Sequence, residues 1–174
     1  MYFADAEARK IFFAYALPCL EVRVSKGELS IKQAKNIIKS YSSGEELPAR
    51  MEEYFVRAKE RCSKTAEERG KTNIDAEVVR RCFRLEHDKY IDEEAKLNQI
   101  RNPNYCRVWP GIVVALKDHR HALVRTPKKD RIYRTEFVPN LQEMDLVAVH
   151  RDFVSEIITS EIKDKMLDVK KPYI

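Results

Sequence analysis

The residues best suited to chemistry lie in the second half of the chain. Cys106 stands just before Val108, Trp109, Pro110 and Gly111, and a β-branched run, Ile112-Val113-Val114, follows. Further on, the apolar segment Leu146 to Val149 ends in His150, and Phe153 comes shortly after. A thiolate and an imidazole at the ends of two strands are donors for a soft or borderline metal such as iron. Two ligands do not close a site, so further donors would have to complete it. The second candidate is a cationic stretch containing Lys117, His119, Arg120, His121, Arg125, Lys128, Lys129, Arg131 and Arg134, with Trp109, Tyr133 and Phe137 near it in sequence. Basic side chains among aromatic ones suit phosphate-bearing partners.

The remaining candidates read as structural. His87, between Glu86 and Asp88, fits an exposed polar helix face. Cys62 and Cys82 fall on apolar helical stripes and read as core. Cys19 follows Pro18 with nothing adjacent to activate its thiol. Glu45-Glu46 and Glu52-Glu53 stand where helices start, where carboxylates complement the helix dipole. No Ser–His–Asp arrangement is identifiable. With only four glycines there is no G-x-G-x-x-G and no Walker A loop.

Two kinds of element must position these groups. Up to about residue 100 the apolar period is helical. Ile11, Phe12, Phe13, Tyr15 and Leu17 belong to a first helix over 5–17, which Pro18 kinks or ends. Ser30 and Gln33 form a capping box for a second, with Ile31, Ala34, Ile37, Ile38 and Tyr41 at helical spacing. Pro48 opens a third, striped by Met51, Tyr54, Phe55, Ala58 and Cys62, and Gly70 ends it. A fourth follows Thr72-Asn73 with Ile74, Val78, Cys82 and Leu85 inward, and Lys89 to Gln99 extends it. Four stripes with short connections predict an antiparallel bundle.

At Arg101-Asn102-Pro103-Asn104 the pattern changes. Strands are predicted over 108–116, 121–125, 131–138 and 145–150, with Pro110-Gly111 marking a bend. Short strands at this spacing predict a small barrel. Ser160 is placed to cap a final helix carrying Ile162, Met166 and Leu167. The fold class is therefore α+β: a helical domain over 1–100, then a barrel plus C-terminal helix over 105–174.

Composition narrows the function classes. The 174 residues are 44% hydrophobic, enough for a core, and 35% charged, above the ~25% of an average globular protein. A net charge of +5 permits an acidic partner without demanding one. No apolar run reaches the ~18–20 residues of a membrane helix, and none reads as a signal peptide. A cytoplasmic protein without a membrane partner is expected. None of the four cysteines forms a C-x-x-C pair, which excludes a zinc ribbon and disfavours a disulfide scaffold.

The segment Cys106 to Met166 resembles the HypC/HupF family of hydrogenase-maturation chaperones. The resemblance rests on Cys106, Pro110-Gly111 and Ile112-Val113-Val114. It continues through Ala122-Leu123-Val124, Ile132 to Val138, Asp145, Leu146 to His150, Phe153 and a charged helical tail. Met144 stands where the family has Gly before the Asp, and Cys106 is internal rather than amino-terminal. The resemblance implies an OB-like barrel and a non-enzymatic accessory chaperone. Its partners would be a protein client, namely a hydrogenase large-subunit precursor, or another maturation factor. It also implies iron held through Cys106 and His150, and client contact through Cys106, Pro110, Gly111 and Phe153. OB-type barrels also bind single strands. The alternative is accordingly a single-stranded nucleic-acid-binding module using Lys117, Arg120, Arg125, Lys128, Lys129, Arg131 and Arg134.

Overall fold

Helix α1 (Ala6–Ala16) is buried almost all round, from Ala8 and Ile11 through Ala16, so it is the axis about which the N-terminal half condenses. The computed structural model describes all 174 residues and divides the chain into two compact units, Met1–Cys82 and Phe83–Ile174. In the first unit Asp5 caps α1 by accepting from Ala8 N–H (2.7 Å). Pro18 sits in a 3₁₀ turn, Leu17–Cys19, after which a short α2 (Leu20–Ser25) resumes. The capping box is present at α3 (Ile31–Ser42): Ser30 Oγ accepts from Gln33 N–H (3.2 Å) and Gln33 Oε1 accepts from Ser30 N–H (2.8 Å). The expected third helix starts as a 3₁₀ segment, Ala49–Phe55, and becomes α4 (Val56–Glu68), with Gly70 at φ 67° behind it. Phe3, Phe12, Phe13 and Phe55 meet edge-on or tilted at 5.1–6.4 Å in this core.

Helix α5 (Ala76–Arg81) is capped by Asp75, which accepts from Val78 N–H (2.8 Å). It gives way to a π turn over Cys82–Glu86 and then α6 (His87–Lys96). The wider turn shifts the helical register, so the buried side is Phe83, His87, Asp88, Tyr90 and Ile91, with Leu85 half-exposed. The division between the units falls in this turn. Residues 83–100, expected to belong to the helical domain, form one unit with the barrel. The physical reason is charge: Arg84 pairs with Glu156 on the barrel (2.5 Å), and Asp88 and Asp92 on α6 meet Arg107 just before its first strand.

A short α7 (Pro103–Cys106) leads into β1 (Val108–Asp118), followed by β2 (His121–Arg125), β3 (Asp130–Arg134), β4 (Leu146–His150) and β5 (Phe153–Ile157). The strands close a barrel in the order β1-β2-β3-β5-β4, with β4 returning to β1 and a single parallel pairing, Arg134 with Phe153. This is the five-stranded closure of OB-type barrels. Trp109, Val113, Val124, Tyr133, Val147, Val149 and Val154 fill its interior. Pro110 lies where β1 pairs only with β4, before pairing with β2 starts at Ile112, so its missing N–H breaks no inner ladder. Strand β5 was not expected from the sequence, and β3 stops at Arg134 rather than 138. The final helix α8 (Ser160–Lys170) is capped by Thr159, not Ser160.

Candidate functional site

Cys106 and His150 are neighbours, because β1 and β4 pair with Val108 opposite His150. The bond between them runs to the Cys106 backbone carbonyl. His150 Nε2 donates to the Cys106 carbonyl (3.0 Å), and His87 Nε2 donates to the same oxygen (3.1 Å). A carbonyl only accepts, so both rings carry a proton at Nε2 and together they fill both lone pairs of that oxygen. The histidines therefore clamp the turn before β1, and His87 is buried rather than exposed as expected. The Cys106 thiol accepts from the Arg151 guanidinium at 3.1 Å. A guanidinium beside the sulfur repels a metal cation, and no group of three or more His, Cys, Asp or Glu side chains gathers here. His150 is fully buried. The residues present do not fit an iron site.

The four residues expected to touch a protein client are all interior: Cys106, Pro110, Gly111 and Phe153 are each buried. Gly111 is a packing position, since a Cβ there would lie 2.6 Å from Val124 Cγ1 and 3.0 Å from the Arg125 carbonyl oxygen. Phe153 lies under the Arg134 guanidinium (4.4 Å) and stacks on Phe137 (4.7 Å between centroids).

The cationic candidates separate into two groups. Lys117 and Arg120 lie at the β1–β2 turn, Arg125 pairs with Asp130 (3.0 Å), and Arg134 pairs with Glu136 (2.5 Å). Lys128, Lys129 and Arg131 instead line a cavity of about 100 Å³ at the opposite end of the barrel. Its other walls come from residues the sequence reading left out, Asn102, Asn104, Arg107, Thr126 and Arg151, together with Tyr105, Trp109, Tyr133 and Val149. Every charged side chain lining it is basic.

Local structure explains how the cations are held. Thr126 Oγ1 donates to the Lys129 carbonyl (2.9 Å) and accepts from the Lys128 and Lys129 N–H groups (3.3 Å each), which shapes the β2–β3 turn. Arg131 donates to Asp152 and, more weakly, to the Arg151 carbonyl (3.4 Å). Tyr105 Oη donates to the other Asp152 oxygen (2.8 Å), and the Arg131 and Arg151 guanidiniums flank the Tyr105 ring at 5.2 and 5.0 Å. Trp109 donates through Nε1 to the Asn104 carbonyl (2.8 Å). Arg151 adopts φ 54°, a left-handed backbone in the two-residue β4–β5 turn. Arg151 was detectable in principle as the residue following the strand-terminal His150; Asn102 and Asn104 carried only a turn signal.

Compared with protein-family models, curated proteins and solved structures, the chain matches none. No helix is long and apolar enough to cross a membrane.

Proposed function

We propose that the barrel unit is a binding module without catalytic chemistry of its own and that it takes single-stranded nucleic acid at its cationic end. The observation carrying this reading is the cavity whose charged lining is entirely basic, set at the β2–β3 and β4–β5 turns of an OB-type barrel. Its volume, about 100 Å³, is well below the ~300 Å³ at which metabolite pockets begin, which favours a partner engaged in part over a substrate engulfed whole. The test is titration of a short single-stranded oligonucleotide at two salt concentrations. Three phosphate contacts give a log–log slope of about −2, so affinity falls by roughly 20-fold between 50 and 200 mM salt. Lys128→Glu with Lys129→Glu removes most of the binding. Absent binding, or binding indifferent to salt, overturns the reading.

A second reading is the accessory chaperone of HypC/HupF type. It is favoured by the placement of the matched residues along β4: Cys106 and Phe153 lie by His150 at one end, and Asp145 lies at the other. The Asp145 carbonyl accepts from Val113 N–H (2.9 Å), and Phe153 pairs with His150. Met144, where the family has Gly, takes φ 70°, a backbone suited to glycine. On this reading the client meets a surface other than the four buried residues, and iron is not part of the contact. Co-purification of a hydrogenase precursor or another maturation factor from the native host distinguishes it from the first.

A further inference from the structure

Resting on the single-strand reading, we propose that the cavity is a seat for a terminal phosphate monoester rather than a stretch of track for internal phosphates. The ordinary single-strand mode needs exposed aromatic faces on which successive bases stack. Here the cavity's Trp109 and Tyr133 are each only 5% exposed. Trp109 is already approached by two ammonium groups, Lys128 Nζ at 5.7 Å and Lys170 Nζ at 5.6 Å. The third ring, Tyr105, is half-buried and flanked by the Arg131 and Arg151 guanidiniums at 5.2 and 5.0 Å, so all three rings hold cations in place.

Charge points the same way. A monoester carries about −1.5 to −2 at pH 7 and three acceptor oxygens, against −1 for an internal diester. Arg107, Lys128, Lys129, Arg131 and Arg151 line one small cavity; Arg107 meets Asp92 and Arg131 meets Asp152, while Lys128 and Lys129 are exposed. Five basic side chains around a lining that holds no carboxylate attract a dianion more strongly than a monoanion. The β4–β5 turn fixes one of these cations. Arg151 takes the left-handed backbone of a two-residue hairpin turn, with its carbonyl tied to Arg131 and its guanidinium held by Cys106 Sγ and the Tyr105 ring.

The shared chemistry is the monoester, whether on a strand end or on a mononucleotide. The experiment is fluorescence anisotropy with one short single-stranded sequence in three forms: 5′-phosphorylated, 3′-phosphorylated and hydroxyl-terminated. Adenosine monophosphate and adenosine serve as competitors. We expect one phosphorylated end to bind at least ~10-fold tighter than the hydroxyl form, adenosine monophosphate to compete and adenosine not to. The advantage grows as pH rises through about 6, where the second phosphate proton leaves. Lys128→Ala with Lys129→Ala erases the advantage; both side chains are exposed, and an unchanged urea midpoint by circular dichroism shows the fold intact. Adenosine monophosphate competing on a par with the phosphorylated strand supports the seat and identifies the free nucleotide as its ligand. Equal, salt-dependent binding of all three strands overturns the seat and leaves the single-strand reading standing. No binding by any of them overturns both.

Discussion

At Gly111 the backbone of β1 passes so close to β2 that even a methyl group meets Val124 Cγ1 at 2.6 Å and the Arg125 carbonyl at 3.0 Å. One contact is with a side chain that has little room to turn inside the barrel; the other is with backbone. Gly111→Ala is therefore an overpacking change with a cost of about 1–3 kcal/mol. Denaturant unfolding followed by the fluorescence of Trp109, the sole tryptophan and part of the barrel interior, measures it. An unchanged midpoint would show that β1 and β2 separate easily. The same scale explains why the motif residues are not the working residues. Cys106 contributes its carbonyl to two histidines and its sulfur to Arg151, so its polar atoms are engaged in holding the turn before β1.

At the scale of elements, local chemistry written in adjacent residues was legible. Ser30 and Gln33 announce α3, Pro18 the break after α1, and Gly70 the end of α4. What was not legible depends on partners distant in the chain. Strand β5 follows a two-residue turn, Arg151-Asp152, that lacks the Gly, Asn or Pro by which a turn is recognised, so 145–157 reads as one strand and a loop. Asp88 looks like a surface residue on α6 until Lys170 arrives from α8. Of the cationic stretch, Lys128, Lys129 and Arg131 reach the cavity, while Arg125 and Arg134 are held by Asp130 and Glu136; only the register of β2 and β3 sorts them.

Glu52, in the 3₁₀ segment before α4, shows how one such element is tied down. Burial pushes its carboxyl up, but Lys59 (2.5 Å) and Arg9 (2.9 Å) more than offset this and hold it below the usual carboxylate range. A depressed folded-state value means that the stabilisation is complete above the unfolded-state range and is lost as pH falls through the folded one. Glu52→Gln accordingly costs about 1–3 kcal/mol near neutral pH. The two proteins converge as acid protonates Glu52 in the wild type. Helical circular dichroism during urea unfolding at neutral and acid pH tests this, and a difference that persists undiminished in acid would show that lost packing, not lost charge, is responsible.

Over the whole molecule, the two units rest on different physics. The first is an aromatic core around α1; the second adds to its barrel a buried ionic network joining distant parts of its chain. Lys170 on α8, 1% exposed, donates to Asp88 on α6 at 2.5 Å. Arg107 lies 3.7 Å from Asp88, bonds Asp92 and stacks on Tyr173 (3.9 Å), whose hydroxyl donates to Asp92 at 2.5 Å. Burial works against both charges of the central pair, holding the Asp88 carboxyl above its ordinary range and the Lys170 ammonium below its own. Breaking such a pair from one side costs more than the pair is worth, because the remaining charge stays buried with its nearest counter-ion gone. Lys170→Met is expected to destabilise the second unit by about 3–5 kcal/mol, whereas Lys170→Met with Asp88→Leu recovers most of the loss. Trp109 fluorescence reports both, since Lys170 Nζ lies over its ring. A double variant no better than the single one would mean that the α8 tail is held by packing around Met166 and Tyr173 rather than by the ion pair.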